Sequence, residues 1–405
     1  MTNRISNTFF CASALLLVCS SAIAGQQSVV VTNKDALLKA VSPNSPYSVV
    51  SVKGVIRSLE ELQLKDNLTL QGEGIRSRLV AAQGHGLLVL GKNNHIKNLS
   101  LAVEPYTSFP AIQNPKGNSV GNLELSYIKA SGTIKLSVSD KSQDSRVSID
   151  HTKININNAP ATEEDIICAE EFLVQNNSLI TVSKFSDNRL NTSGKLNLGL
   201  YNHAYTGGII HYLGDINHNV IITNGKQADG IYNFTSGGSI QLDGGINNNN
   251  VRVNFIDSDG IYNHAVDQGT ITIKDIQNNV ILSNGMNGNG IWNSVETNGH
   301  IRLAGKFQNN VITAPDVDAT GFANNSVTGG VIDFTNAIVA HNTITTKFPT
   351  TSPIINTADG DGSLVNFGFG SSEAVKNNLI SQNVLTPPSD AGKVVNVSSN
   401  GGIIN

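Results

Sequence analysis

The sequence is short of cysteine and of charge, and each shortage narrows the class of protein it encodes. The chain has three cysteines, and two of them, Cys11 and Cys19, lie within the N-terminal segment 1–24. If that segment is cleaved, Cys168 has no cysteine to pair with, so an internal disulfide is excluded. Charged residues make up 14% of the chain, against roughly 25% in typical soluble domains. A surface of Ser, Thr, Asn and Gln accounts for that deficit without a membrane.

The sequence also lacks a basic excess and a long hydrophobic run. Its 27 Lys and Arg against 31 Asp and Glu give a net charge of −4, so we expect no nucleic-acid partner. The apolar stretch 9–18 is too short to span a bilayer. With Arg4 before it and Ala-Ile-Ala at 22–24 after it, this stretch predicts a signal peptide at 1–24. We therefore expect a secreted, surface or periplasmic protein with no transmembrane segment in the mature chain.

The sequence does contain one regular repeat. The phrase Gly-Leu-Tyr-Asn at 199–202 recurs as Gly-Ile-Tyr-Asn at 230–233 and 260–263, as Gly-Ile-Trp-Asn at 290–293 and as Gly-Phe-Ala-Asn at 321–324. From each restart to the next the numbering rises by 31, 30, 30 and 31 (230 − 199, 260 − 230, 290 − 260, 321 − 290). Such spacing predicts one structural unit stacked on itself.

Each unit contains three short apolar runs separated by Gly, Asn and Asp. The second run alternates, as in Ile240-Gln241-Leu242, which is the pattern of a half-buried strand. Three strands per unit predict an all-β fold, a right-handed single-stranded parallel β-helix with coils of about 30 residues in the C-terminal half.

Asparagines recur at fixed places in the unit, and we predict that they form corners and stacked amide ladders. One set precedes the third strand and comprises Asn219, Asn250, Asn279 and Asn310. The other follows the first strand and comprises Asn202, Asn233, Asn263, Asn293 and Asn324.

Beyond the signal peptide we expect a single β-helix domain at 25–405. It divides into irregular N-terminal coils with a cap at 25–165, regular repeats at 166–353 and C-terminal coils at 354–405. Leu37, Leu38 and Val41 share one face of a short helix at 35–41, which is the predicted cap. No helix is evident after the last repeat, so that end is covered by the stretch 359–392, by a partner or by another copy of the chain.

Two short signatures resemble the repeats of polymorphic outer-membrane protein (autotransporter) passenger domains. One is Gly-Gly-x-Ile, at 207–210, 237–240 and 329–332, and the other is Phe-x-x-Asn, at 185–188 and 307–310. The resemblance covers roughly 180–345 and implies a right-handed β-helix used in adhesion or surface display. That family ends in a membrane β-barrel, and the last residues here lack alternating strands of about ten residues. We therefore expect a released or partner-dependent secreted protein.

An aromatic column is the main candidate for a binding site. Strand alternation turns one residue of each repeat outward, and on four adjacent coils it is aromatic: Tyr201, Tyr232, Tyr262 and Trp292. Such a stripe suits a sugar ring or a protein partner, because these side chains combine a large area with a polar edge. The alternative is that the rings only stabilise the solenoid.

Acidic turns and histidines are weaker candidates. Carboxylates at Asp229, Asp257, Asp259, Asp316 and Asp318 suit a hard cation such as Ca²⁺, but they are also ordinary turn residues. His203 and His264 share a repeat position two coils apart, and we interpret them as surface or turn residues. No metal and no cofactor are predicted.

An enzyme is the main alternative, because the pectate-lyase-like superfold contains many polysaccharide-degrading enzymes. Gly84-His85-Gly86 resembles a polygalacturonase motif, but the aspartates that such chemistry requires are not evident. Arg252 and Arg302, candidates for a lyase base, lie on different strands, so we assign no catalytic residue.

Our interpretation is an exported binding or adhesion protein whose ligand is a glycan or a protein on a cell surface. The alternatives are a lyase or glycoside hydrolase, and a structural surface component that self-associates through its C-terminal coil.

Overall fold

The structure is a computed structural model that describes residues 27–74, 76–104, 109–141, 144–157, 166–348, 351–386 and 390–405. The predicted signal peptide lies outside these ranges. The chain winds into a right-handed parallel β-helix with three strands per coil, which confirms the predicted fold class. Successive strands enter sheet 1, sheet 2 and sheet 3 in turn, and each pairs in parallel with its counterpart in the next coil.

The strands are grouped by sheet. Between residues 209 and 340 each coil gives sheet 1 two short strands instead of one. The strands of sheet 1 are Ser28–Val31, Val49–Val52, Thr69–Gly72, His95–Lys97, Asn122–Ser126, Ser145–Asp150, Leu179–Ser186, Ile209–Tyr212, Ile216–Asn217, Ser239–Leu242, Ile246–Asn247, Thr270–Ile273, Ile276–Gln277, His300–Leu303, Lys306–Gln308, Val331–Asp333, Ile338–Ala340, Leu364–Asn366 and Ile403–Ile404. Those of sheet 2 are Val55–Leu59, Arg78–Ala81, Ser100–Ala102, Lys129–Ser131, Lys153–Ile156, Arg189–Ser193, Val220–Asn224, Asn250–Val253, Val280–Ser283, Val311–Ala314, Thr343–Thr346 and Val384–Thr386. Those of sheet 3 are Leu62–Gln63, Leu88–Val89, Pro110–Gln113, Thr133–Val138, Ile167–Val174, Asn197–Tyr205, Ile231–Ser236, Ile261–Val266, Ile291–Val295, Phe322–Val327, Ile354–Asp359 and Val394–Ser399.

Coil length differs along the chain. In sheet 3, Leu62 pairs with Leu88, Leu88 with Ile112 and Ile112 with Ile134, so the numbering rises by 26, then 24, then 22 (88 − 62, 112 − 88, 134 − 112). The step from Ile134 to Glu170 is longer, a rise of 36 (170 − 134). The paired position then moves from 170 to 200, 231, 261, 291 and 322, a rise of 30 or 31 at each coil. These five nearly equal steps confirm the predicted coil length of about 30 residues.

An inner ladder of asparagine side chains runs through the core along sheet 3. In each rung the Nδ2 group donates to the Oδ1 atom of the next coil at 2.7 or 2.8 Å. Its first Oδ1 atom accepts from the Tyr212 hydroxyl at 2.8 Å, and its last Nδ2 group donates to the Ser372 carbonyl oxygen at 2.7 Å. The members are Asn202, Asn233, Asn263, Asn293, Asn324, Asn356 and Asn396.

The sequence predicted this ladder correctly, but it wrongly placed the asparagines at corners. The sheet-3 strands continue past each of these asparagines, as in Ile231–Ser236. Asn233 therefore lies within a strand and points inward, with no exposed surface. Stacking supplies the partners that a buried amide requires.

A corner ladder stands where sheet 1 turns into sheet 2. The backbone N–H of each member donates to the Oδ1 atom of the next at 2.9 or 3.0 Å. The prediction that Asn250 belongs to this ladder is wrong. Asn249 is the ladder residue, and Asn250 is exposed at the start of a sheet-2 strand. The left-handed backbone belongs to the residue before the ladder, with φ of 54° at His218 and 58° at Asn248. The members are Asn188, Asn219, Asn249, Asn279, Asn310, Asn342 and Asn383.

Helices lie at both ends of the described chain. The first, Lys34–Val41, begins at Asn33, whose side chain accepts from the Ala36 N–H at 2.9 Å. It confirms the predicted cap, although Leu38 is exposed and Ala40 takes the buried place expected for it.

A second helix, Ser372–Gln382, contradicts the expectation that no helix follows the repeats. It lies within the stretch 359–392 and packs Val375 and Leu379 into the core. A short third helix spans Asp390–Lys393. Among the described residues, no helix has the length and apolar character that a membrane crossing requires.

Candidate functional site: the aromatic face of sheet 3

The predicted aromatic column lies in register on the outer surface of sheet 3. Tyr201 pairs with Tyr232, Tyr232 with Tyr262, and Tyr262 with Trp292. The ring centroids are 5.1, 4.7 and 4.6 Å apart, and the last two pairs are within 5° of parallel. The spacing is that of neighbouring strands, so the sheet itself imposes the stacking.

This stacking decides which part of each ring meets solvent. Each inner ring has its faces covered by its neighbours, so Tyr232 and Tyr262 present their edges and hydroxyl groups. Tyr201 is 5% exposed and is buried with Cys168 and Leu198 in a small cluster outside the main core. The column is therefore accessible over three residues rather than the predicted four.

The two ends of the column differ. On the N-terminal side its register continues into Glu171, which forms an ion pair with Lys135 at 3.0 Å. On the C-terminal side Trp292 pairs with Ala323, whose side chain is a single methyl group. The column of rings therefore ends at Trp292, which is half-buried.

A second column of rings stands beside the first, two residues further along each strand. His203 pairs with Phe234 and Phe234 with His264, while Ser294 holds the position on the next coil. The shared repeat position of the histidines is confirmed. Neither lies in a turn, because both are strand residues on the outer surface of sheet 3, where His203 is 7% exposed.

The histidines lie within hydrogen-bond reach of the tyrosine hydroxyls. The Tyr201 hydroxyl lies 2.7 Å from His203 Nδ1, and the Tyr232 hydroxyl lies 3.5 Å from His264 Nδ1. Burial lowers the pKa of His203 to about 3, so its imidazole is neutral. Burial also raises the pKa of both tyrosines, so their hydroxyls stay protonated.

Glu296 closes this polar edge. Its carboxylate lies 3.4 Å from His264 Nε2. Burial lowers the pKa of His264, and the nearby carboxylate opposes that shift only in part. The hydroxyl, imidazole and carboxylate groups thus line one edge of the column.

Two buried aspartates, Asp229 and Asp259, lie just before sheet-3 strands, on the N-terminal side of the column's tyrosines. The Asp259 N–H donates to Asp229 Oδ1 at 2.7 Å, and the Asn289 N–H donates to Asp259 Oδ1 at 2.6 Å. Burial raises the pKa of Asp229 to about 7. It also raises the pKa of Asp259, and the neighbouring Asp229 carboxyl adds to that shift. These side chains act as a third ladder that ties the turns together.

The other acidic turns do not join this pair. The Asp257 carboxylate lies 3.7 Å from Lys226 Nζ, and Asp316 accepts from the N–H of the next residue. Within the part of the chain that the structure describes, no group of three His, Cys, Asp or Glu side chains is arranged to hold a metal ion.

The residues considered for catalysis are separated. His85 is exposed in the turn before a sheet-3 strand, while Arg252 extends from sheet 2 and Arg302 from sheet 1. The two arginines therefore belong to different sheets, as well as to different strands. Cys168 is buried, and burial raises the pKa of its thiol, so it is held as an uncharged apolar group.

Comparison with known proteins adds no relative. No protein-family model matches the chain, and no curated protein matches it.

Proposed function

We propose that the protein is an exported binding protein that attaches to a glycan on a cell surface through the aromatic face of sheet 3. The observation that carries this proposal is the end of the aromatic column, where Trp292 is half-buried and the next residue in register is Ala323 rather than another ring. Sugars stack on the face of an aromatic ring and form hydrogen bonds at its edge. The indole of Trp292 supplies the first contact, and the hydroxyl edges of Tyr232 and Tyr262 supply the second.

The composition of this surface supports binding over a purely structural role. A column needed only for stability is fully served by buried stacking, as at Tyr201, whereas Tyr232, Tyr262 and Trp292 are only half-buried. The resemblance to surface-displayed passenger domains and the predicted signal peptide fit a location outside the cell.

The experiment is a glycan-array screen of the chain from residue 25 onward, comparing the native protein with Trp292→Ala. We expect the variant to lose roughly tenfold or more in affinity, because one stacked aromatic contact contributes about 1.5 kcal/mol. Phe255→Ala is the matched control, since Phe255 is 52% exposed in a loop away from the column. Its binding should be unchanged.

Three results would count against the proposal. Equal binding by Trp292→Ala with an unchanged melting temperature would remove the aromatic face from the interaction. Binding of a cell-surface protein but of no glycan would mean that the ligand is a protein. Shortened products from a bound glycan would show an enzyme instead.

A further inference from the structure

A second surface, remote from the aromatic face, has the features of an anion-binding groove. It follows the corner between sheet 1 and sheet 2 in the N-terminal coils and has a volume of about 760 Å³. Its described lining includes Arg76, Arg78 and Lys129 but no carboxylate, although the whole chain has a net charge of −4. We refer to it as the basic groove.

Two glycines open the groove. A side chain at Gly72 would collide with the Asn98 carbonyl oxygen, so the neighbouring coil approaches the bare backbone there. At Gly74, where φ is +93°, nothing lies within 4 Å of the place a Cβ would occupy. The chain therefore leaves space between the arginines and the next corner instead of filling it.

The cations of the groove have no anionic partner among the described residues. Arg76, Arg78 and Lys129 are exposed, and none forms an ion pair within those ranges. Glu124 is engaged by His95 at 2.9 Å, and the exposed Glu73 does not line the groove. The positive charge is thus directed into solvent.

The same charge continues along sheet 2 beyond the groove. Lys129 pairs in register with Lys153, and Lys153 with Arg189, on three successive coils. Neighbouring strands are about 4.8 Å apart, and like charges placed opposite one another destabilise a sheet. A linear ligand that carries one negative charge for each coil would relieve this repulsion.

An aromatic ring borders the cations. Tyr127 is 56% exposed although one face of its ring stacks on His151 of the next coil at 4.6 Å. Its other face is directed toward the preceding coil, where Asn98 occupies the equivalent corner and lines the groove. The exposed ring of Tyr127 and the three cations therefore line the same depression.

We propose that the basic groove binds an acidic polysaccharide, a chain of sugars bearing carboxylate or sulfate groups. The ring of Tyr127 stacks on one sugar, Arg76, Arg78 and Lys129 pair with its acidic groups and their neighbours, and Lys153 and Arg189 extend the contact along the helix axis. The concave shape and the single open ring favour a sugar chain over a flat lipid surface.

The test measures binding of heparin, polygalacturonate and neutral dextran at low salt. The groove variant Arg76→Gln/Arg78→Gln/Lys129→Gln is compared with a control that removes the same charge from C-terminal coils, Arg252→Gln/Arg302→Gln/Lys306→Gln. We expect at least one acidic polymer to bind, dextran not to bind, and the groove variant to lose roughly tenfold or more in affinity. Added salt should weaken native binding.

A second variant, Tyr127→Ala, distinguishes stacking from charge alone and should weaken binding without changing its salt dependence. Binding of heparin alone identifies sulfate as the preferred group, and binding of polygalacturonate alone identifies carboxylate. Equal losses in the groove variant and the control overturn the proposal. So does binding of a DNA oligonucleotide or anionic vesicles as tightly as the polysaccharide. The aromatic-face proposal is unaffected by these outcomes, because Trp292 is intact in every variant.

Discussion

The N-terminal coils and the later repeats share one fold but are specified by different interactions. The paired sheet-3 core positions Leu62, Leu88, Ile112 and Ile134 are aliphatic, and the coils shorten from one to the next. From Asn202 onward each coil adds an asparagine to the inner ladder, and the coil length is almost constant up to Phe322. Aliphatic packing is non-directional and tolerates varied loops, whereas an amide ladder requires its rungs in register.

The outer surfaces change at the same point. On sheet 2 the column that holds Lys129, Lys153 and Arg189 continues as Val220 and Asn250 in the later repeats. On sheet 3 the charged pair of Lys135 and Glu171 gives way to the aromatic column. The two halves therefore present chemically different surfaces on one continuous core, which suits two different ligands.

Breaking the inner ladder should have the largest effect. In Asn263→Leu the Asn233 Nδ2 group loses its acceptor and the Asn293 Oδ1 atom loses its donor. Each unsatisfied buried group costs about 1–3 kcal/mol, so we expect a loss of roughly 2–6 kcal/mol, measured by denaturant titration. Leu136→Met, at the equivalent column in the aliphatic coils, should cost less than about 1.5 kcal/mol. Similar losses in both variants would mean that the ladder is not what distinguishes the two halves.

The junction between the halves should contribute to the pH dependence of stability. Glu170 lies in the core between Ile134 and Leu200, and neither of its carboxyl oxygens has a hydrogen-bond partner among the described residues. Burial raises its pKa from 4.5 to about 8. The folded state then holds the proton more tightly than the unfolded state, so the stability that Glu170 contributes is fully present below pH 4.5 and is lost as pH rises to about 8, with a slope of about 1.4 kcal/mol per pH unit. His203, whose pKa burial lowers to about 3, contributes a slope of the opposite sign below pH 6.5.

Glu170→Leu should flatten this slope and raise stability at neutral pH, because leucine continues the aliphatic column. Asp229 and Asp259, whose pKa values burial also raises, still contribute a slope of the same sign, and His203 opposes it below pH 6.5. Glu171→Gln, which removes the adjacent exposed-side carboxylate, should retain the native slope. Thermal melts between pH 4 and pH 9 provide the measurement, and an unchanged slope in Glu170→Leu would refute the assignment.

The smallest effect on stability is expected in the column of basic residues on sheet 2. Lys153→Ser removes the middle charge between Lys129 and Arg189 and should stabilise the fold by roughly 0.2–1 kcal/mol, as expected for relief of one cross-strand repulsion. Added salt should shrink that gain. Val311→Lys places a lone cation at the equivalent site in the later repeats and should have little effect. A loss of stability in Lys153→Ser would show that the lysine stem, rather than its charge, matters to the fold.

The sequence was sufficient for the fold because a near-constant repeat period marks the core directly. It was less informative at the residue level. Four consecutive asparagines at 247–250 conceal which one points inward, and only the corner geometry at Asn248 selects Asn249. The helix Ser372–Gln382 was missed because its apolar residues are few and only Val375 and Leu379 are buried.

The repeat predicted the aromatic column, but it did not predict that Tyr201 is buried. That burial depends on Cys168 and Leu198, which precede the first repeated phrase at 199–202. The basic groove was missed entirely. Arg78, Lys129 and Lys153 come from coils of unequal length, so no fixed spacing in the sequence brings them together.

The inner ladder also has a direction. Every Nδ2 group donates toward the C-terminal coil, so a partly wound stack presents an unsatisfied N–H at its advancing end. The ladder is therefore polar, and its two ends need different partners. The Tyr212 hydroxyl donates to the free acceptor at the N-terminal end. The Ser372 carbonyl, on the helix that follows, accepts from the free donor at the C-terminal end.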